Sequence, residues 1–350
     1  MNAEISLIIP THNRHGYLKR ILEYYSLTDI SVFVVDSTAK TFNIYLENNK
    51  LDKVHYFHLP QKSLTGKISF ILEKITTPYV VICADDDFII PEALFQCVNF
   101  LKENLAFSSA MGNTICYKKE PGATGRIDFL AMYTDRLSYK TLEEDPFRRL
   151  QHFFKLYRTI FCAVHRTEIL KNAFDGAELW IKNLFLNEYI TAIYPIVKGH
   201  FIELPILYHV REYTEYSDDK ITPNIDTVLY NKDFEKDFED FLTYQALKIS
   251  PEINKSVENS KLSLRAVLMQ FAHHIHSLKN VGKLSFEKRV GKLFVSMPLI
   301  GLPIVRVFRR RKSEVALSKL VKTIEEKNQV AIIRELIHKY KSTELVLKKQ

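Results

Sequence analysis

Apolar and polar positions alternate along the first hundred residues in a repeating order. The run EISLIIP is a short apolar stretch that stops at Pro10 and predicts a strand. HGYLKRILEYYS follows, with Tyr17, Leu18, Ile21, Leu22 and Tyr25 at helical spacing. ISVFVVDS predicts a second strand ending at Asp36, and VHYFHLP a third. GKISFILEKI reads as a helix and PYVVICA as a fourth strand. A helix is predicted from Pro91 to about Glu103, because proline suits a first helical turn. Strands alternating with helices predict an α/β fold built on a parallel sheet.

From about Ser108 to Val210 the periodicity is mixed. TIFCAVHRTEIL predicts a strand entering a helix. ELWIKNLFLNEYITAIYPIVKG predicts a helix carrying Glu188, and HFIELPILYHVRE an extended pair. From about Asp226 onward the chain reads as mostly helical, with clear apolar periodicity in SKLSLRAVLMQFAHHIHSL and SKLVKTIEEKNQVAIIRELIHKY. The last helix is expected to pack on its own domain rather than to form a dimer contact. No internal repeat or low-complexity segment is visible.

Three predicted strand ends carry polar groups: Thr11-His12-Asn13-Arg14, Asp36-Ser37, and Asp85-Asp86-Asp87. Consecutive aspartates raise each other's pKa and stay ionised cheaply only in water or around a cation. A solvated turn and a metal site therefore both fit the acids taken alone. In parallel α/β sheets, ligands sit beyond the carboxyl ends of the strands. Polar groups at three such ends favour the metal site.

Composition narrows the class. The chain has 350 residues, 46% hydrophobic and 26% charged, which suits a soluble globular protein with more than one module. Cys83, Cys97, Cys116 and Cys162 form no CxxC pair and are expected to be free thiols, with Cys83 and Cys97 buried; this fits a cytoplasmic location. The N-terminal apolar stretch is too short for a signal peptide, and no run of about 18 apolar residues predicts a membrane span. The net charge of +8 gathers in RVFRRRK (306–312) and the lysine-rich tail. The preceding KLFVSMPLIGLPIV is apolar but broken by Pro298 and Pro303, so it reads as a membrane-surface segment or a buried connector. His273, His274 and His276 lack an acid or cysteine at matching spacing and read as helix surface.

ISLIIPTHNRHGYLKRIL, VFVVDS and TPYVVICADDDFIIPEAL resemble, in order and spacing, the nucleotide-sugar-binding half of GT-A-fold glycosyltransferases of the family 2 type. AVHRTEIL and LYHVRE extend the likeness to a bacterial subgroup of surface polysaccharide assembly, so that it covers roughly residues 4 to 212. The resemblance implies a Rossmann-like, mostly parallel sheet flanked by helices over 1–225, divided into a nucleotide-sugar-binding half (1–110) and an acceptor half (111–225). A helical region over 226–350 is expected to contact membrane or partner.

It further implies a nucleoside-diphosphate sugar as donor, UDP-sugar foremost, and a divalent cation, Mn or Mg. Such a cation favours carboxylate and phosphate oxygens and neutralises the leaving diphosphate. The family pattern is Asp-x-Asp-Asp; here Ala84 takes its first position. Asp87 then falls at the direct ligand, Asp86 at the ribose or metal edge, and Asp85 behind them. Pro10 and Thr11 would line the nucleotide pocket, Asp36 would meet the base or ribose, and Lys67 falls where the family has a basic residue. Arg14 is read as capping local structure. Glu188 matches the base of an inverting transfer, and its apolar neighbours predict a raised pKa; Glu178 and Asp175 are weaker matches. His209 would add a metal ligand and Arg211 a diphosphate contact.

The implied activity is transfer of a sugar to a glycan or lipid-linked acceptor, with peripheral contact at the inner face of the cell membrane and no nucleic-acid partner. Two other readings compete. A nucleotidyltransferase also places aspartates at strand ends, but IIPTHNR lacks its Gly-rich phosphate loop. A non-catalytic basic scaffold explains the tail and leaves the strand-end groups unused. The oligomeric state stays open.

Overall fold

A computed structural model describes residues 4–26, 28–42, 51–119, 127–131, 139–213, 225–294, 317–318 and 320–340. Segment 295–316, with most of the apolar stretch and the whole basic cluster Arg306–Lys312, lies outside the described residues.

The first half follows the predicted alternation. Strand β1 (Ile5–Thr11) leads through helix α1 (His15–Tyr25) to β2 (Ser31–Asp36) and β3 (Val54–His58). Helix α2 (Leu64–Leu72), β4 (Tyr79–Ile82), a two-residue β5 (Phe88–Ile89) and α3 (Pro91–Glu103) follow. Ser63 caps α2 by accepting from the Gly66 amide, which fixes where that helix starts. β1 lies parallel between β2 and β4, and β2 is parallel to β3. All four residues of β4, and six of the seven in β1, are buried, as expected of strands covered on both faces.

The second half departs from expectation. β6 (Phe107–Lys119) is a long strand, followed by β7 (Ile127–Ala131), β8 (Tyr139–Thr141), helix α4 (Pro146–Lys155) and β9 (Val164–Arg166), which enters α5 (Thr167–Phe174). The stretch predicted as one helix is broken: one turn α6 (Ala177–Trp180), a 3-10 turn at Leu184–Leu186, then α7 (Asn187–Lys198). Asn183 accepts from the Phe185 amide and starts the 3-10 turn. The predicted extended pair is instead one strand, β10 (His200–Glu212), with a register shift between Leu204 and Leu207. Gly112 of β6 sits under that irregularity. A Cβ there would come within 2.6 Å of the Ile206 carbonyl, so the two backbones approach closely only because the position is glycine.

The described strands form one sheet in the order β3-β2-β1-β4-β9-β6-β10-β5, with β7 on β6 and β8 on β10. β9 inserts antiparallel between β4 and β6, β10 runs parallel to β6, and β5 is antiparallel to β10. The result is a mixed sheet with flanking helices, parallel through β3-β2-β1-β4 and between β6 and β10 and antiparallel elsewhere. The C-terminal region is helical: α8 (Ile225–Tyr230), α9 (Glu235–Ile249), α10 (Val257–Phe294) and α11 (Ile324–Lys339).

Helix α11 packs on α1, as expected. Tyr24 donates to Gln329 at 2.8 Å, and Lys339 meets Glu23 at 2.6 Å. A capping box at Thr323 and Glu326 starts the helix, and Glu326 also accepts from the Leu207 amide of β10. All four cysteines are free and buried. No helix among the described residues is long and apolar enough to cross a membrane.

Candidate active site

The C-terminal ends of β1, β2 and β4 meet at a cavity of about 600 Å³. Pro10, Thr11 and Arg14 line it from β1 and the start of α1, Lys67 from α2, Asp85 from the loop after β4, and Glu188 from α7. Lys67 is 4% exposed, which excludes a surface lysine. Its ammonium donates to the Thr11 carbonyl at 2.7 Å. Burial pulls it down to about 8, against the opposing charges of Asp85 and Asp36.

Arg14 is more than the cap expected of it. It occupies the N-cap position of α1 without a side-chain cap bond, and its guanidinium reaches Asp85 at 3.2 Å and Asp86 at 2.5 Å. Thr11 donates to Asp85 at 2.6 Å. Burial pushes the Asp85 carboxyl up, Arg14 pulls it down, and the nearby Asp86 charge adds to the rise. Burial pushes Asp86 the same way, but Arg14 outweighs it and holds Asp86 below the usual carboxylate range. Asp86 lines neither this cavity nor the smaller one beside it.

Asp36 is likewise outside the cavity lining, although Ser37 next to it is part of it. Its carboxylate is engaged by His15 at 2.7 Å, the Tyr56 hydroxyl at 2.7 Å and the Thr38 amide at 2.8 Å. Burial would raise Asp36, yet these hydrogen bonds hold it well below the usual range.

A second cavity of about 120 Å³ adjoins the first and shares Ala84, Phe161 and Glu188 with it. Asp87, Cys162, His209 and Arg211 line its other side. Asp87 Oδ2 lies 3.0 Å from His209 Nε2, and Asp87 Oδ1 accepts from the Glu212 amide at 3.0 Å. The pairing of β5 with β10 brings these residues together: His209 is in register with Ile89, two residues past Asp87. Ligand atoms of Asp87, Cys162 and His209 all lie within 4.8 Å of one another. Burial would lower the His209 imidazole, but the neighbouring Cys162 and Asp87 raise it to about 10.

Glu188 sits in the first turn of α7, where the helix dipole favours a carboxylate. The apolar surroundings expected from its sequence neighbours are met in part, by Leu184 and Phe185, which line the larger cavity with it. Leu186, Tyr189 and Ile190 turn into the core, while Glu188 is half-buried and accepts from the Tyr157 hydroxyl and from Thr159 at 2.9 Å. Helical geometry sends adjacent residues to different faces, so of the apolar neighbours Leu184 and Phe185 share the cavity wall with Glu188 while the other three do not. Glu178 pairs with Lys62 and Asp175 with Lys248, and neither lines these cavities. His273 and His274 are exposed on α10, as expected.

Several residues here carried no assigned role in the sequence. Arg20 is fully buried, pairs with Glu212 at 3.2 Å, and donates to the Asp86 carbonyl at 2.9 Å. The Tyr117 hydroxyl also donates to Glu212, at 2.5 Å. This network ties the aspartate loop to α1 and to the end of β10. Tyr157, Thr159 and Cys162 fall in the single stretch LYRTIFC, whose polar residues inside an apolar run were the available signal.

Residues 6–174 match the family model described as Glycosyl transferase family 2. A comparison with curated proteins returns no match. Solved structures similar in outline include S. aureus TarS 1–349 in complex with UDP-GlcNAc. It is 14% identical, with a TM-score of 0.47, covering 97% of this chain and 92% of that one. A longer S. aureus TarS structure is 15% identical, with a TM-score of 0.47, covering 97% of this chain and 55% of that one.

Proposed function

We propose that this chain, whose residues 6–174 match the family model described as Glycosyl transferase family 2, moves a sugar from a nucleoside-diphosphate donor, with inversion, to a hydroxyl of a glycan or lipid-linked acceptor in bacterial surface polysaccharide assembly. The observation that carries this reading is the position of Glu188, which lines both adjoining cavities. One carboxylate facing both compartments suits a base between donor and acceptor.

In this reading the larger cavity takes the nucleotide. Pro10 and Thr11 line its wall, Ser37 marks the end of β2, and Lys67 presents a buried cation to the diphosphate. Arg211 offers a second, bidentate contact from the smaller cavity. Asp87 and His209 are the groups that would hold a divalent cation, since carboxylate oxygen and imidazole nitrogen 3.0 Å apart suit a shared ion. Such an ion, Mn or Mg in the family expectation, supplies Lewis-acid stabilisation of the leaving diphosphate. Asp85 and Asp86 serve the site by anchoring Arg14 rather than as ligands.

Glu188 takes the proton of the acceptor hydroxyl as its oxygen forms the new bond to the anomeric carbon. The bond to the diphosphate breaks on the opposite face, and the nucleoside diphosphate leaves. Tyr157 and Thr159 orient the carboxylate for that step. The helical region 226–350 forms a second unit in this proposal. The basic cluster Arg306–Lys312 would hold the enzyme at an anionic surface where a lipid-linked acceptor resides, at about 1 kcal/mol per charge.

Calorimetry of UDP and of UDP-sugars with and without Mn tests the reading, followed by NMR of the product's anomeric configuration. Metal-dependent binding and an inverted product are expected. Consumption of a nucleoside triphosphate with a sugar 1-phosphate would replace this reading with nucleotidyl transfer, and failure to bind any nucleotide would end it.

A further inference from the structure

Three elements far apart in sequence converge beside Glu188. Asp87 comes from the loop after β4, Cys162 from the segment leading into β9, and His209 from β10. All three are buried, and their ligand atoms lie within 4.8 Å of one another. The backbone holds each in place. The Glu212 amide fixes Asp87 Oδ1 at 3.0 Å and leaves Oδ2 turned to His209. The Tyr208 hydroxyl, one residue before His209, donates to the Cys162 carbonyl at 2.7 Å. Strand β10 thus positions both the histidine and the cysteine.

Resting on the reading above, we infer that Cys162 is a third protein ligand of the cation site, and that its thiolate makes the site select a thiophilic divalent cation over Mg. Metal–ligand bonds near 2.0–2.3 Å place tetrahedral donors roughly 3.5 Å apart, so spacings within 4.8 Å need only side-chain rotation to close on one ion. A carboxylate, an imidazole and a thiolate form a donor set suited to Zn or Co rather than to Mg, which favours all-oxygen surroundings. The cavity on the open side, lined by Glu188 and Arg211, leaves a coordination position for a diphosphate oxygen. The thiol proton and the proton on His209 Nε2 both leave to solvent when sulfur and nitrogen bind the ion. Cys162 sits about 75 positions from the aspartates, in no metal-ligand spacing, which is why the sequence shows no sign of it.

Cobalt(II) is the probe, titrated into the full chain with and without UDP. Wild type should show a near-ultraviolet thiolate-to-cobalt charge-transfer band together with visible d–d bands. Cys162→Ser should keep the visible bands, lose the charge-transfer band and bind Co(II) about tenfold more weakly or worse. Its affinity for Mg should stay within about twofold, since oxygen-seeking ions gain little from sulfur. Cys162→Ala, checked by circular dichroism, guards against a local defect of the serine variant. In wild type, bound Co(II) should also protect Cys162 from alkylation while leaving Cys83, Cys97 and Cys116 unaffected. Co(II) bound without a charge-transfer band, a band that survives Cys162→Ser, or an unprotected Cys162 would overturn the inference and leave the Asp87–His209 site standing. If no Co(II) or Mn binds with or without UDP, the cation site itself fails and the inference falls with it.

Discussion

The two cavities that meet at Glu188 treat neighbouring aspartates in opposite ways. Beside the larger cavity, Asp85 and Asp86 are both paired with Arg14 at the start of α1. On the smaller side, Asp87 is paired with His209 beside Cys162, and Arg211 lines the same cavity. A cation arriving at Asp87 takes the place of the proton that His209 can release, whereas one arriving at Asp85 or Asp86 has to part them from an arginine that keeps its charge. Charge density along the chain therefore does not locate a metal. What decides is which element packs over each acid.

The largest expected effect breaks this contrast at its cation side. Asp87→Asn keeps size and the contact to the Glu212 amide but removes the charge. Metal-dependent binding of a sugar nucleotide should vanish, and transfer should fall on the order of 10³–10⁴-fold, several kcal/mol of lost charge stabilisation. Asp86→Asn, which alters only the Arg14 side, should leave metal affinity nearly unchanged. Equal metal loss in both, read by calorimetry, would erase the distinction between the two sides.

Glu188→Gln comes next. At the junction, its loss should lower kcat by roughly 10²–10⁴-fold while donor affinity stays within about twofold, as for removal of a general base. Transfer at the wild-type rate across pH would assign the proton to another group.

Lys67 sharpens the nucleotide side through pH. Burial lowers its pKa from 10.5 to about 8. Below that pH the ammonium is charged and meets the diphosphate; above it the charge is lost. UDP affinity should therefore fall as pH rises through about 8, by roughly tenfold, the worth of about 1.4 kcal/mol. Lys67→Arg should flatten the profile, because guanidinium stays charged. The stability effect has the opposite sign. Between about 8 and 10.5 the unfolded chain holds more protons than the native one, so stability rises with pH there, and Lys67→Met should lose that rise. An unchanged UDP profile in Lys67→Met would detach Lys67 from the diphosphate.

Thr159→Val gives the smallest change. It removes one of the hydroxyls that Glu188 accepts from, at 2.9 Å. Loss of one hydrogen bond to a charged group should cost a few-fold to about tenfold in kcat and move the acid limb of the pH–rate profile. A lower rate with an unmoved limb would make Thr159 a packing residue only.

Much of the larger cavity was legible in the chain. Thr11, Asp36 and the aspartates follow apolar runs, and runs of that kind become parallel strands whose ends gather at one edge. Lys67 could be placed near that edge, but its burial could not, because a lysine after a helix start looks the same exposed or covered. Asp36 was placed at the right strand end, yet the three groups that engage its carboxylate come from positions 15, 38 and 56, which no local pattern joins. For Glu188 the apolar neighbours were visible; that Leu184 and Phe185 share its cavity while Leu186, Tyr189 and Ile190 enter the core follows from where α7 begins, which Asn183 and the broken helix decide.

By itself the sequence determined the alternation of the first half, the strand ends that carry polar groups, and the helical character of the C-terminal region. Periodicities of two and of 3.6 residues are properties of a local stretch, and burial enforces them residue by residue. Tertiary structure alone decided that HFIELPILYHVRE is one strand, that His209 lies against Asp87 across 122 positions, and that Cys162 joins them. Strand register between distant segments is set by backbone hydrogen bonds and by the fit of facing surfaces. Neither leaves a mark on the order of side chains within either strand.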